Sequence, residues 1–414
     1  TMLTWARKSL VRSLSLLIFL GSLLLVAVVA VLVYQHSKTI LFDEAVNKLK
    51  AVNSLKRDFL VELLRENKSD LQHIAGSREV LTAFEDLKNY HDQGGGDPRG
   101  PYDIKNQQYI DIYKQMDPFF QRSLKLFDFK EIYFVCKMHG HIMYTTQKSQ
   151  DLGTNLNYGK YKDSVLAELW RKVVKTEETQ LLDIKNYELA DEPVMMVGTP
   201  VWDENENIIG VLMASLRLEP IKRIMEQNAG LGETGETYLV GEDGLMRSES
   251  RFIPGSVVLE RKVETKSVNR AIGEDDHARG SALIRDYRDV RVVSVYSHVG
   301  LEKRLGTNFD WAIITEMDEK EVLIQVKSLE HFVIWVGCII ALFTLLLGVL
   351  IARSIVQPLK ALSEKAGELA KGNLKVDIPS SKRKDEIGEL VSSFQQMHKN
   401  LQKQTHELVH GAST

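Results

Sequence analysis

Cysteine is nearly missing from this chain, with two in 414 residues. Cys338 sits inside an apolar run and Cys136 in a distant strand-like run, so no useful disulfide forms and the fold must hold by its core alone. An excess of either charge is missing as well. With 53 Lys and Arg against 56 Asp and Glu, the net charge of -3 leaves no electrostatic footprint for nucleic acid, which is not an expected partner. The chain also lacks a phosphate-binding Gly-rich loop, a nucleophile elbow and a kinase signature, so it carries no catalytic site and calls for no cofactor.

What is present is two long uncharged apolar runs, Leu14 to Tyr34 and Phe332 to Ala352, of 21 residues each. At about 1.5 Å rise per residue either spans a hydrocarbon core of about 30 Å, and both are expected to be membrane helices. A cleaved signal peptide is the alternative for the first run. It has a shorter apolar core and a small-residue cleavage site, whereas this run continues through Ser37 and Ile40 into a helical pattern, as a retained anchor does. Arg7, Lys8 and Arg12 precede the first run, and Arg353, Lys360 and Lys365 follow the second. The positive-inside bias therefore places both termini in the cytoplasm and the middle section, residues 35–331, outside.

In that section, apolar residues recur at helical spacing from Phe42 to about Asn89, which predicts a long stalk helix. Residues His91 to Pro101, rich in Gly and Pro, predict an exposed loop, and Ile104 to Leu126 a returning helix. A repeat follows. Hairpin-like runs occur at Ile132–Thr146 and again at Thr237–Ser248, each with a Gly-containing turn. The first is followed by a helix (Asp163 to Lys175) and strands at Thr179–Ile184, Val194–Trp202 and Ile208–Leu216. The second is followed by a short helix near Ser267–Ile272 and strands at Ser281–Tyr287, Val290–His298 and Asp310–Asp318. The pattern predicts an α+β fold with two antiparallel sheets and helices packed on them.

After Arg353, Leu359, Leu362, Ala366 and Leu369 form one a/d seam, and Ile387, Leu390, Phe394, Met397 and Leu401 form another. The connector Gly372–Lys384 is long enough to run back along a helix, and Leu374, Val376 and Ile378 alternate within it. A parallel helix pair is expected, and two chains would close a four-helix bundle, which implies a homodimer. Asp385 is placed to cap the second helix.

The exterior section resembles the double Cache (dCache) sensor domains of bacterial chemoreceptors and sensor kinases. The resemblance rests on a stalk helix, two tandem PAS-like sheets, and the phrases Asp151-Leu152-Gly153-Thr154-Asn155-Leu156 and Gly230-Leu231-Gly232-Glu233-Thr234-Gly235-Glu236-Thr237-Tyr238-Leu239. Pro358, Gly372-Asn373-Leu374 and Asp385-Glu386-Ile387-Gly388 resemble a HAMP domain, with Asn373 where Asp is more usual. Pro358, Asp385, Glu386 and Gly388 are then signal-transmission positions in a HAMP domain at residues 353–405. The resemblance implies a distal module at about 100–220 that holds a small ligand and a proximal module at about 230–320 that transmits. Candidate ligand residues in the distal module are Tyr144, Thr146, Lys148, Thr154, Asn155, Tyr158, Tyr161, Tyr187, Met196 and Thr199, of which about a third are expected to line a pocket. The Arg and Trp-Tyr pattern of the amino-acid-binding subgroup is absent, and Lys148 or Lys160 would permit an anion such as a carboxylate.

Asp203, Asn205 and Asn207 mimic a calcium loop, but Ile208 and Ala214 stand where Gly and Glu are needed, so a hairpin turn is expected. His139-Gly140-His141 near Cys136 has no second ligand cluster in the sequence and reads as a hairpin tip, with no metal. Glu274-Asp275-Asp276-His277 reads as a solvated loop. Together these features predict a dimeric two-helix receptor of the bacterial plasma (inner) membrane. Its ligand would bind in the periplasm or outside the cell and its signal would pass through the second membrane helix to the HAMP bundle and a cytoplasmic signalling module. The Thr1-Met2 start and the short tail at 406–414 suggest a piece of a longer protein. A methyl-accepting chemotaxis receptor is the expected parent; a histidine kinase, diguanylate cyclase or phosphatase sensor, or a stand-alone scaffold, are the alternatives.

Overall fold

The computed structural model describes residues 10–273, 279–378 and 383–411. Arg7, Lys8 and the loop Glu274-Asp275-Asp276-His277 lie outside the described residues. The chain divides into two compact units, Leu41–Leu323 and the remaining N- and C-terminal segments.

In the first unit the stalk is two helices, α1 (Leu10–Ala75) and α2 (Arg78–Tyr90), where the apolar spacing predicted one. Gly76 and Ser77 part them, because the Ser77 hydroxyl accepts from the Val80 N–H and so caps a new helix. The segment after α2 is largely exposed, as its composition predicted, but it is locally ordered. It makes a π-helical turn over His91–Gly95, with Gly94 at φ +104°, and then bridges Gly96 to the buried Tyr102. Helix α3 (Gln107–Leu126) follows.

The distal sheet has the antiparallel order β2-β1-β5-β4-β3, from β1 (Phe129–Cys136), β2 (Ile142–Thr145), β3 (Gln180–Lys185), β4 (Val194–Trp202) and β5 (Ile208–Leu216). Both faces are covered, so its strands are apolar almost throughout. One face, with Phe134, Tyr144, Val197 and Leu212, packs on α1, α2 and α3. Gly210 admits this packing, because a Cβ there would come within 2.0 Å of the Phe84 ring. The other face, with Tyr133, Val135, Met196 and Met213, packs on α4 (Val165–Thr176), which Ser164 caps.

The proximal sheet has the order β6-β9-β8-β7, from β6 (Glu236–Gly241), β7 (Arg279–Arg285), β8 (Arg291–His298) and β9 (Trp311–Asp318), with α5 (Lys266–Ile272) on one face. The second predicted hairpin is only half formed. Its return strand is reduced to single bridges, Val240 to Met246 and Leu245 to Lys262, because the segment turns inward at the buried Arg247. The modules meet there. Asp183 of β3 accepts from Arg247 at 2.8 Å and from the Trp311 indole at 2.8 Å.

The second unit contains α6 (Ile324–Ile351), α7 (Gln357–Ala370), α8 (Glu386–Gly411) and the N-terminal part of α1. The two apolar helices are long and apolar enough to cross a membrane, and they expose large side chains such as Leu24, Leu25, Trp335 and Phe343. They touch where Ser22 donates to Thr344 at 3.3 Å and where Gly337 leaves room for Val26. Leu362 of α7, Ile378 of the connector and Val391 and Phe394 of α8 form a small shared core. The connector lies along α8 as its alternation predicted, with the Leu374 carbonyl accepting from Gln402 at 2.6 Å. Pro358 stands in the first turn of α7, and Asp385 caps α8 by accepting from the Gly388 N–H at 3.0 Å. Gly388 is needed there, since a Cβ would come within 2.2 Å of the Arg383 carbonyl.

Breaking one side of the buried inter-module pair leaves a carboxylate without its cation, which costs about 3–5 kcal/mol. Arg247→Met is therefore expected to lower the unfolding free energy by about that amount, read from chemical denaturation of the detergent-solubilised chain. A loss below about 1 kcal/mol would show that the Asp183 node does not hold the two modules together.

Candidate functional site

The face of the distal sheet under α4 carries an unusual inclusion of polar groups in an apolar layer. Three strands set the row. Glu131 of β1 pairs with Ser215 of β5, which pairs with Met196 of β4, so their side chains lie side by side on one face. Two residues on, Tyr133 returns to that face and donates from its hydroxyl to Glu131 Oε2 at 2.7 Å. Asp151, on the turn after β2, is fully buried and accepts from the Tyr187 hydroxyl at 2.6 Å, while Ser149 donates to Glu131 Oε1 at 3.3 Å. Tyr161 lies edge-on to Tyr187 at 6.4 Å.

Asp151 Oδ1 and Ser215 Oγ are buried without a partner. Burial raises the pKa of Asp151, tempered by the Tyr187 hydrogen bond. Burial likewise raises that of Glu131, where the Tyr133 hydroxyl opposes the rise and the Asp151 charge adds to it. Neither carboxylate has a cationic partner among the described residues. Two carboxyl groups, three phenols and two thioethers thus share this buried face, a set of groups whose chemistry complements positive charge.

Of the ten distal residues expected at a pocket, the structure brings Tyr161, Tyr187 and Met196 to this face. Tyr144 lies on the opposite face, where its hydroxyl donates to Asp117 at 2.8 Å. The Thr146 hydroxyl accepts from the Ile132 N–H, and Thr199 shares a hydroxyl contact with Thr179 on the α1 side. Thr154 and Asn155 serve turns: the first donates to the Asp151 carbonyl, and the second accepts from the Asn157 and Tyr158 N–H groups. Tyr158 is exposed. The two lysines that would permit an anion do not lie on this face: exposed Lys148 stands above the Tyr113 ring and exposed Lys160 beside Glu188. The charge buried at the site is acidic, opposite in sign to that expectation.

Sequence reasoning missed Glu131, Tyr133, Ser149, Asp151 and Ser215. A signal was available in the phrase Glu131-Ile132-Tyr133-Phe134-Val135, which recurs as Glu236-Thr237-Tyr238-Leu239-Val240. The second copy builds the same row in the proximal module, since Glu236 pairs with Glu316 and Glu316 with Ser294. Tyr238 donates to Glu316 Oε2 at 3.2 Å, and Tyr287 and Ser250 reach Glu236. The Asp203 turn is a hairpin tip whose carboxylate accepts from the Asn205 and Asn207 N–H groups, as its sequence predicted.

Glu316 is fully buried, and burial pushes its pKa up from 4.5 to about 8. A raised carboxyl pKa means the folded state holds the proton more tightly than the unfolded chain, so stability is full below pH 4.5 and falls as pH rises toward about 8. Glu316→Gln is expected to abolish that fall and to unfold at a higher temperature than the wild type above pH 8, read from melting temperature against pH. Parallel pH profiles for the two proteins would refute a deprotonation cost at Glu316.

A Cache domain family model matches residues 38–326 and a HAMP domain model residues 350–403. The transducer protein Htr6 of Halobacterium salinarum is 27% identical over 224 residues, 53% of this chain and 25% of that protein. A putative sensory transducer protein of Acetivibrio thermocellus is 28% identical over 208 residues, 50% of this chain and 34% of that protein. The sensor protein kinase WalK of Staphylococcus saprophyticus is 26% identical over 186 residues, 44% of this chain and 29% of that protein. The chain thus spans about a quarter to a third of the length of these curated relatives. Among solved structures, the ligand-binding domain of the Pseudomonas aeruginosa amino acid chemoreceptor PctC in complex with GABA matches with a TM-score of 0.41 at 14% identity, over 66% of this chain and 99% of that one. With a Cache model over most of its length, a HAMP model after its second apolar helix and two antiparallel sheets between the candidate spans, the chain belongs to the dCache family of Cache domain proteins.

Proposed function

We propose that the Glu131–Asp151 face of the distal module is the sensing site, that its ligand is a small organic cation carrying a protonated amine, and that the chain is the sensor portion of a methyl-accepting chemotaxis receptor. The observation that carries the ligand class is the pair of buried carboxyl groups without a cationic partner, one of them with an unpartnered oxygen. An ammonium entering there would gain charge-assisted hydrogen bonds to both, and the phenol rings of Tyr133, Tyr161 and Tyr187 would face its charge. An anion has a poorer home. The cleft between the modules is lined by Lys130, Arg217, Lys222 and Arg247, but each is already paired, with Glu192, Asp128, Glu226 and Asp183 respectively.

In this reading residues 14–34 and 332–352 cross the membrane, residues 35–331 face outward, and both termini and the HAMP domain at 353–405 are cytoplasmic. The exposed seam residues Leu359, Leu390, Met397 and Leu401 support a homodimer, since a second copy would bury them. Ligand binding would then shift α6 and repack the bundle, with shifts of about 1–2 Å sufficient. Kinases among the relatives keep a histidine kinase parent as the second reading.

Thermal-shift screening of the detergent-solubilised chain is expected to find stabilisation by primary amines and none by simple carboxylates; a ligand at 100 times its Kd adds about 2.7 kcal/mol. Glu131→Gln or Asp151→Asn should weaken the amine about ten- to a hundred-fold, the worth of one charged hydrogen bond. Stabilisation by a carboxylate alone, unchanged in both variants, would overturn this ligand class. A second test concerns the dimer. Leu342, exposed on α6, when replaced by cysteine in a Cys338→Ala background, should cross-link to its counterpart at a rate that changes with bound amine; absence of any cross-link along one full turn of α6 would exclude the dimer.

A further inference from the structure

The turn of the first hairpin, His139-Gly140-His141, lacks a third ligand in the sequence, and the fold supplies one. The π-helical turn that ends α2 carries His91 onto the hairpin tip. Its ring stacks on that of His139 at 5.1 Å between centroids and lies 5.2 Å from that of His141, while His139 and His141 are 5.7 Å apart. One ring nitrogen from each residue lies within 4.8 Å of the other two. Three imidazoles on one tetrahedral ion at about 2.0–2.1 Å place their nitrogens closer than that, so small side-chain rotations suffice.

Two of the rings present unused nitrogens. His91 Nε2 and His139 Nδ1 are buried and have no hydrogen-bond partner. Each thus lacks the hydrogen bond that a buried imidazole nitrogen ordinarily makes. In His91 and His141 one ring nitrogen is held by an acceptor, as in metal-binding histidines. His91 Nδ1 lies 3.3 Å from the Asp92 carboxylate, which directs the free lone pair to Nε2. His141 Nε2 lies 2.8 Å from the Asp97 carbonyl, 3.0 Å from the Gly100 carbonyl and 3.2 Å from the Asn155 side-chain amide, and Nδ1 lies 3.8 Å from Cys136 Sγ; the two carbonyls take the Nε2 proton, which leaves the lone pair on Nδ1 beside the thiol. Gly96 keeps the space open, since a Cβ there would come within 2.4 Å of the His91 ring and 2.7 Å of its Nε2.

We propose that His91, His139 and His141 form a binding site for one divalent transition-metal ion of the zinc type, with water completing the coordination. Three imidazoles and no carboxylate among the ligands select such an ion over calcium or magnesium, which take oxygen ligands. The neighbouring thiol is not a ligand in this arrangement, because Cys136 Sγ is engaged as acceptor by the backbone N–H groups of His139 and His141, both at 3.4 Å. The ion would tie the end of α2 to the hairpin that carries β1, and thereby to the strand of Glu131 and Tyr133. That gives the distal module a metal-dependent rigidity separate from its amine site.

The test is Co²⁺ and Zn²⁺ titration of the detergent-solubilised, chelator-treated full chain, read by the visible absorption of a tetrahedral Co²⁺–imidazole centre and by calorimetry. One equivalent per chain is expected, with Zn²⁺ displacing Co²⁺ and a large excess of Mg²⁺ or Ca²⁺ displacing neither. His91→Gln and His139→Gln, both partly exposed and verified as folded by circular dichroism, should each weaken binding by at least about 100-fold, the upper cost of losing even an outer partner of a metal ligand. Cys136→Ser should leave it unchanged. Absence of a one-equivalent Co²⁺ signal, or a signal that persists in the His91→Gln/His139→Gln double variant, would overturn the site. Binding lost in Cys136→Ser but retained in His91→Gln would overturn this ligand set in the same way.

Discussion

Residues Leu41–Ala75 of α1 form a floor shared by both sheets, and the sensor unit depends on it. Leu60, Val61, Leu64, Leu71 and Ile74 join one continuous core with Phe134, Val197 and Leu212 of the distal sheet and Leu239, Trp311 and Ile313 of the proximal one. Lower on the same helix, Val46 and Leu49 pack on Val293, Val295 and Met317. Each such side chain contributes about 1.5–3 kcal/mol on full burial, so the shared helix is an apolar link between the two sheets beside the polar node at Asp183. A polar key fixes its register. Asn53 donates to the Ile313 carbonyl at 3.0 Å and accepts from Ser297 at 2.7 Å, which a slip of one residue would break.

With one face of each sheet committed to that floor, the other face is free to be specialised. In the distal module α4 covers most of it with Leu166, Leu169, Trp170 and Val173, and the polar row lies where the turn from Ser149 to Tyr161 takes over as the cover. The proximal module repeats the plan with a different outcome. Glu316 stands where the distal sheet has Ser215, so three acidic groups, Glu236, Asp286 and Glu316, crowd one buried spot. Arg288 balances part of that charge through Asp286 at 2.6 Å. Duplication thus preserved the scaffold while the residue opposite the Glu of each Glu-x-Tyr phrase set the local electrostatics.

The relation between site and output is one of small differences. A buried carboxyl group whose pKa is raised by its surroundings is sensitive to any cation that approaches, because the approach favours its charged form and changes its hydrogen bonds. A two-state receptor needs a ligand only to favour one state over the other, and about 5.5 kcal/mol swings a population from 1:99 to 99:1. The HAMP helices suit such a switch. Their shared core in a single chain is small, and much of each a/d seam is exposed.

Periodicity and uncharged length in the sequence alone determined the two apolar helices, the α+β character, the doubled strand-helix order and the paired seams with their cap at Asp385. These are local properties, legible because helical and strand periods and the reach of a turn act over a few residues. The interruption at Gly76-Ser77 and the inward turn at Arg247 were not legible, since each depends on what a distant segment offers to pack or pair against. The same holds for the sites. Tyr187 and Asp151 are 36 residues apart and meet through one hydrogen bond, and His91 reaches a hairpin tip that lies some 50 positions later. Tertiary structure alone decided which sheet face each side chain occupies, and with it that Glu131 and Asp151 are buried together. A one-residue change of strand phase reverses the face, and nothing local prevents it.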